Sequence, residues 1–147
     1  MSEMRLYTIG FTKKSAEDFF TALKKAKVKC LIDIRRNNVS QLAGFTKRDD
    51  LAYFLMTICG IEYLHRPDLA PTQDLLDRYK KKSIDWETYE REFRELTNQR
   101  RIETDLDVET LDHACLLCSE PTAERCHRRL VAEHLRDKVG NIAICHL

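Results

Sequence analysis

Short apolar runs alternate along the chain with longer segments that repeat apolar residues at helical spacing. The runs at 5–10, 30–35, 61–65, 114–118 and 142–145 have the length of buried strands. The segments at 15–26, 46–60, 72–82, 84–98 and 122–139 place an apolar residue every three or four positions, which predicts amphipathic helices, and 107–110 predicts a short further one. This alternation predicts an α/β fold, a three-layer sandwich with a mostly parallel sheet of about five strands.

Residues that commonly cap helices stand where these segments begin and end. Ser15 opens the first helix and has Asp18 three positions later, a variant of the capping box. Gly60 and Gly140 follow the last apolar positions of two later helices, where a left-handed residue is common. The polar, aperiodic stretch at 36–46 predicts a loop after the second strand.

Length and composition predict one globular domain over 1–147. The chain has 147 residues, 43% hydrophobic and 33% charged, which argues against intrinsic disorder. Its formal net charge of +1 excludes a uniformly polybasic binder, although residues 1–48 carry 11 basic and 4 acidic groups and the remainder is acidic. The basic first third suggests an anionic partner, whereas lysines on solvated helix faces would explain it equally well.

The expected location is the cytoplasm, without a membrane partner. The first ten residues lack the apolar core of a signal peptide, and no stretch reaches the ~20 apolar residues of a membrane span. Most of the six cysteines sit in apolar runs, which is typical of small core hydrophobes in a reducing compartment. The pattern does not determine the oligomeric state.

Candidate chemistry collects where the strands end, since ligands of parallel sheets bind outside the carboxyl ends of the strands. Charged or titratable residues stand there after largely apolar runs and must be paired or face a cleft. The candidates at these positions are Gly10, Asp33, Arg35, His65, Cys118 and Glu120.

The segment 118–129 holds the densest cluster of reactive groups and joins a strand to a helix. If the helix begins near Thr122 or just before Cys126, its free N–H groups form an anion site that Arg128 strengthens. A cysteine there would have thiolate character. The alternative is that Cys126 belongs to the inward stripe of the helix and the arginines to its wet face.

Three familiar motifs do not fit the sequence, and no metal or cofactor is expected. Cys115 and Cys118 would point to opposite faces of a strand and cannot easily share a zinc ion. Cys118 and Arg125 are one residue too far apart for a Cys-x5-Arg phosphatase loop. Gly10 stands alone, so the dinucleotide fingerprint is absent.

Several short motifs together resemble the family called domain of unknown function 488. They are Thr8-Ile9-Gly10, Asp33-Ile34-Arg35, His65-x-Pro67-Asp68-Leu69, Leu116-Leu117-Cys118-x-Glu120 and Cys126-His127-Arg128, spread over about residues 6–146. The resemblance implies a Rossmann-like domain and a shared polar site without an established reaction. The chain departs from the usual pattern at Phe11 and Thr12, which replace His and Ser, and in the loop after Arg35.

The leading interpretation is a small enzyme that acts on an anionic, phosphate-bearing or nucleotide-like substrate. Arg35 and Arg128 would hold the anion together with Gly10 and Asp33, while Glu120 with His65 or His127 would provide general acid and base. Cys118 or Cys126 is the candidate nucleophile.

Three alternatives to this interpretation remain open. Asp33, Arg35 and Arg128 could form a purely structural ion network. The basic first third could belong to a non-catalytic nucleic-acid or nucleotide binding module. The replacements at Phe11 and in the loop also fit an inactive, divergent family member.

Overall fold

The sheet has five parallel strands. The structure, a computed structural model, describes residues 3–38, 44–120 and 123–147. Within them the strands are β1 (Met4–Gly10), β2 (Cys30–Asp33), β3 (Glu62–His65), β4 (Ala114–Cys118) and β5 (Ile142–His146), in the spatial order β3-β2-β4-β1-β5. The predicted α/β architecture is confirmed, and every strand pair is parallel.

In the described parts of the chain, five α-helices connect and cover these strands. They are α1 (Ala16–Lys25), α2 (Arg48–Phe54), α3 (Gln73–Lys80), α4 (Trp86–Arg100) and α5 (His127–Val139). A π-helical turn, Leu55–Cys59, extends α2, and short 3₁₀ turns occupy Gly44–Thr46, Pro67–Leu69, Ile102–Asp105 and Val108–Leu111. Part of the predicted loop at 36–46, residues 39–43, lies outside the described residues.

Two hydrophobic cores lie on opposite faces of the sheet and make the fold three-layered. Leu116 of β4 packs with Phe93 of α4 in one core, while Leu117 packs with Phe19 of α1 in the other. All five residues of β4 are buried, because helices cover both faces of this central strand. Its unbroken apolar pattern, 114–118, follows from that position.

The topology opens a crevice between β1 and β4. The connection after β1 leads to α1 on one face of the sheet, whereas the connection after β4 leads to α5 on the opposite face. The two strands are neighbours, and Gly10 is in register with Cys118 at their carboxyl ends. Adjacent strands whose connections part in this way form the usual ligand crevice of open α/β sheets.

The helix caps agree with the sequence at two ends and differ at a third. Ser15 accepts a hydrogen bond from the Asp18 N–H, and Gly60 adopts a left-handed conformation with φ 66° at the end of the π-helical turn. The predicted start of the last helix near Thr122 is wrong. Cys126 has an extended backbone, with φ −138° and ψ 141°, and α5 begins only at His127. In the described residues, no helix is long and apolar enough to cross a bilayer.

Candidate functional site

Gly10 allows three segments to meet at the end of the crevice. A Cβ atom added at Gly10 would overlap the carbonyl oxygen of Glu120 and a guanidinium nitrogen of Arg128. A glycine is needed here because a side chain has no space. The backbone of Gly10 does not have the positive φ that would itself favour glycine. The sequence indicated Gly10 as a site residue, and its role is to let the 118–120 segment and α5 approach β1.

Arg128 is a buried cation beside a cysteine. Its side chain is 1% exposed, and Nη1 donates to the Glu120 carbonyl oxygen at 2.7 Å and lies 3.5 Å from the Cys118 Sγ. Its Nε has no hydrogen-bond partner, and no carboxylate of the described residues forms an ion pair with Arg128. Because a bare buried charge is costly, a negative group beside this guanidinium would be stabilised.

The charge of Arg128 also acts on neighbouring basic groups. Burial lowers the pKa of Lys14, and the positive charge of Arg128 lowers it further. Burial likewise lowers the pKa of His146, with Arg128 again contributing. The positive charge of Arg128 therefore acts across the end of β1, although the nearby charge of Glu120 offsets part of it.

Cys118 and Cys126 form a pair at the mouth of the crevice. Cys118 ends β4, Cys126 is the N-cap residue of α5, and the structure joins their Sγ atoms as a disulfide. The Cα atoms lie 7.7 Å apart, beyond the range of about 4.4–6.8 Å in most disulfides, so these positions suit two neighbouring thiols, and a bridge of ordinary geometry requires the backbone to move closer.

The expectation that the cysteines are core hydrophobes holds for only part of the set. It is wrong for the exposed Cys145, whereas Cys30 and Cys115 are buried; Cys118 and Cys126 are also buried, but they contact each other and line the cleft. Cys115 packs with the α1-side core, on the face of β4 opposite to Cys118, as the strand period requires. In the described part of the chain, no group of three or more His, Cys, Asp or Glu residues is arranged to hold a metal.

His127 is held as a neutral imidazole at the start of α5. Its Nε2 lies 2.9 Å from the carbonyl oxygen of Ile34, and its ring meets that of Phe93 edge-on at 5.8 Å between centroids. Since a carbonyl only accepts, Nε2 carries the proton and Nδ1 keeps its lone pair. Burial lowers the pKa of His127 to about 4.

Asp33 and Arg35 bind each other. Arg35 donates from Nε and Nη2 to the two carboxylate oxygens of Asp33, at 2.9 and 2.8 Å, and also to the carbonyl oxygen of Thr46. Tyr63 adds a short hydrogen bond of 2.6 Å to the same carboxylate. The structural ion network considered as an alternative is therefore observed between Asp33 and Arg35. Arg128 forms none of the ion pairs among the described residues.

His65 lies on the far side of this pair from the cysteines. Its Nε2 is 3.1 Å from the carbonyl oxygen of Arg35, at the end of the edge strand β3. His65 is not among the described residues that line the cleft. The structure therefore brings Cys118, Glu120, Cys126 and His127 together and leaves His65 apart.

A cleft of about 460 Å³ opens above the cysteine pair. Cys118, Cys126, His127 and the exposed Glu120 are among the residues that line it. Basic side chains come from three separate segments: Arg35 and Arg36 after β2, Lys80 at the end of α3, and Arg125 before α5. Among the described residues of this lining, Glu120 is the only acidic one, so the cleft favours anions.

Aromatic side chains form a second part of the lining. Tyr79, Trp86 and Tyr89 are packed as a cluster, with 5.2 Å and 24° between the rings of Trp86 and Tyr89. Phe11 also lines the cleft, and the guanidinium of Arg35 lies 5.4 Å from the centre of its ring. Burial raises the pKa of Tyr89, and the nearby Tyr79 and Glu120 add to this effect.

The sequence did not identify Lys80 or the aromatic lining as part of a site. The spacing of Trp86, Tyr89 and Phe93 correctly predicted an inward face of α4, and that face also borders the cleft. Lys80 belongs to a run of three lysines in which only the first lines the cleft. No signal within the sequence separates it from its neighbours.

The family model described as domain of unknown function DUF488 matches residues 15–135, most of the chain. The chain belongs to this family. The DUF488 match includes the Asp33–Arg35 pair and the segment from Cys118 to Arg128, but begins after Gly10 and Phe11. Searches of curated proteins and of solved structures found no match.

Replacing Gly10 tests the close approach at the crevice. Gly10→Ala should lower the free energy of unfolding by about 2–3 kcal/mol, because the new methyl group meets backbone at Glu120 and must displace it. Urea unfolding measures the change. Gly44→Ala is the matched control, since its Cβ meets nothing within 4 Å. Equal stability of the two variants would contradict the packing described here.

Acid should destabilise the protein through His127. The folded pKa of about 4 lies below the unfolded value of about 6.5, so the stability present above pH 6.5 is lost as the pH falls through 4, by at most about 3 kcal/mol. His127→Gln keeps an N–H donor for Ile34 without this titration. Its stability, measured by urea unfolding from neutral pH to about pH 4, should fall less than that of the parent. Parallel losses in both proteins would argue against a neutral His127.

Proposed function

We propose that this protein is an enzyme that acts on a small anionic substrate, phosphate-bearing or nucleotide-like, with Cys118 as the nucleophile. The observation that carries the proposal is the buried Arg128, 3.5 Å from the Cys118 sulfur and without a carboxylate partner among the described residues. A thiolate at Cys118 is the negative group that this position supplies most directly. Thiolates are the reactive form of cysteine.

The exposed basic side chains suit the recognition of the substrate's anionic group. Arg36, Lys80 and Arg125 reach the same cleft from different segments and are exposed. Arg35 contributes less charge than the sequence suggested, because Asp33 already holds it through two hydrogen bonds. We therefore propose that these exposed side chains bind the anionic group of the substrate. Arg128 would stabilise the thiolate of Cys118.

The start of α5 adds to this attraction. Cys126 at the N-cap makes no side-chain capping bond, and the helix is 13 residues long. Uncapped N–H groups at a helix start favour an anion. Gly10 and Asp33 act indirectly. Gly10 leaves the space that the Arg128 side chain occupies, and Asp33 holds the Arg35 side chain through two hydrogen bonds.

General acid and base roles fit two side chains beside Cys118. The His127 imidazole is neutral and has an unprotonated Nδ1, which suits a base. The exposed carboxyl group of Glu120 lines the same cleft and is the second candidate for the acid–base roles. His65 is less favoured for either role, since its Nε2 contacts the carbonyl oxygen of Arg35 and it is not among the described residues that line the cleft.

The size and aromatic lining of the cleft favour a substrate with a flat or apolar part. A volume of about 460 Å³ is in the range of small-molecule sites, roughly 300–1,000 Å³. Trp86 and Tyr79 line the same cleft as the basic segment after β2. A nucleoside monophosphate combines the required anionic group with a planar ring.

A non-catalytic nucleic-acid binding module is less well supported by the positions of the lysines. Lys13 and Lys14 follow the carboxyl end of β1, whereas Lys24, Lys25 and Lys27 lie at the far end of α1, towards the start of β2. These groups therefore occupy opposite ends of the sheet. They do not make the continuous basic face that tracks a phosphate backbone.

Ligand binding can be measured with the single tryptophan of the chain. Trp86 is the only tryptophan and lines the cleft, so we expect nucleoside monophosphates to change its fluorescence and to raise the melting temperature. Inorganic phosphate and ribose 5-phosphate serve as the smaller probes. Lys80→Gln should weaken nucleotide binding by about fivefold, from the loss of roughly one kcal/mol.

Lys81→Gln is the matched control, because Lys81 is exposed and does not line the cleft. It should bind as the parent does. The proposal fails if none of these probes binds, or if the Lys81 and Lys80 variants lose affinity equally. If Cys118→Ser still binds the nucleotide but no longer converts it, Cys118 is needed for the reaction and not for binding.

A further inference from the structure

The two cysteines at the cleft differ from the other four in their surroundings. Cys118 is 1% exposed and Cys126 3%, yet both line the cleft and their sulfurs are in bonding contact. Cys30 and Cys115 are buried in the apolar cores, where burial raises the pKa of Cys30 to about 11 and that of Cys115 further. Among the described residues, Cys118 and Cys126 are the cysteines that line this cleft, and Arg128 lies beside Cys118.

Each member of the pair has its own source of thiolate stabilisation. The Nη1 of Arg128 lies 3.5 Å from the Cys118 sulfur, in a buried environment where the charge is little screened. Cys126 stands at the N-cap of α5, where the partial positive charge of a helix start favours an anion. Cys118 has the stronger support, because its partner carries a full charge.

We propose that Cys118 and Cys126 are a redox-active pair, in which Cys118 reacts with a hydroperoxide and Cys126 resolves the product into an internal disulfide. Both sulfurs are almost fully enclosed, which favours a small oxidant such as hydrogen peroxide over a bulky disulfide. The activity is independent of any phosphate-bearing substrate and goes beyond the proposed function.

The reaction balances in two steps. The Cys118 thiolate attacks one peroxide oxygen, an S–O bond forms, the O–O bond breaks, and the departing hydroxide takes a proton to leave as water. The Cys126 thiolate then attacks the Cys118 sulfur of this sulfenic acid, an S–S bond forms, and the sulfenic oxygen leaves with a proton as a second water. Two thiols are oxidised for each peroxide reduced, and an external dithiol restores them by exchange.

Oxidation would also change the charge of the site. The disulfide carries no negative charge, so Arg128 loses the thiolate that balances it, and Cys118 is no longer a nucleophile. If the proposed function is correct, oxidation therefore stops turnover reversibly. The peroxide reaction itself is expected whether or not that function is correct.

The test uses the whole 147-residue chain with the two more accessible cysteines removed, Cys59→Ser and Cys145→Ser. One equivalent of hydrogen peroxide should consume two thiols, and dithiothreitol should restore both. Trypsin cleaves after Arg125, between the two cysteines, so the disulfide joins two separate peptides that mass spectrometry identifies. Cys115→Ser is the matched control, since Cys115 shares a tryptic peptide with Cys118 but faces the opposite core.

Three further variants assign the roles. In Cys126→Ser, dimedone should trap a sulfenic acid at Cys118, whereas Cys118→Ser should react with peroxide at least tenfold more slowly, as buried thiols do. Arg128→Gln should slow the reaction by a similar factor, with circular dichroism as the check on folding. The trapping result does not depend on whether the Arg128 variant folds.

Three results would overturn the proposal. They are the absence of a Cys118–Cys126 peptide after oxidation, rapid peroxide reduction in Cys118→Ser, and no trapped sulfenic acid in Cys126→Ser. Failure of nucleotide binding would leave all of these measurements unaffected, so the two proposals are tested separately.

Discussion

The buried guanidinium of Arg128 is the interaction on which the site depends. It reaches from α5 to the ends of β1 and β4, where it binds the Glu120 carbonyl oxygen and contacts the Cys118 sulfur. Gly10 leaves the space it occupies. A charge buried this deeply is tolerated only beside a compensating group, and the described residues supply a carbonyl oxygen and a sulfur in place of a carboxylate. The reactivity that we assign to Cys118 follows from this constraint.

The fold explains why this constraint arises at one position. The connections after β1 and β4 leave for opposite faces of the sheet, so the ends of these neighbouring strands are not covered by a single helix. The start of α5 and the aromatic face of α4 then border the open end on one side. Asp33 and Arg35 form a second, self-neutralised pair at the end of β2. One arginine is thus satisfied by a carboxylate, while the other remains beside the cysteines.

The sequence was sufficient for the order of the elements and for most of the residues that meet at the site. Apolar periodicity identifies β4 because both of its faces are buried, and position after a strand identifies Cys118 and Glu120. The sequence could not show that Arg35 is paired with a carboxylate while Arg128 is not. Their partners, Asp33 and the Glu120 carbonyl, are set by the folded structure. The pairing of Cys118 with Cys126 was missed for a similar reason, because the late start of α5 turns Cys126 from a helix stripe into an N-cap.

The state of Cys118 in the reduced protein tests the central claim most directly. The ultraviolet absorbance of the thiolate can be followed in a pH titration of the Cys59→Ser, Cys145→Ser protein, with the same protein carrying Cys118→Ser as the reference. If Arg128 is balanced by Cys118, the difference signal persists well below the ordinary thiol midpoint of about 8.5. A Cys118 signal that appears only at or above that pH would contradict the account.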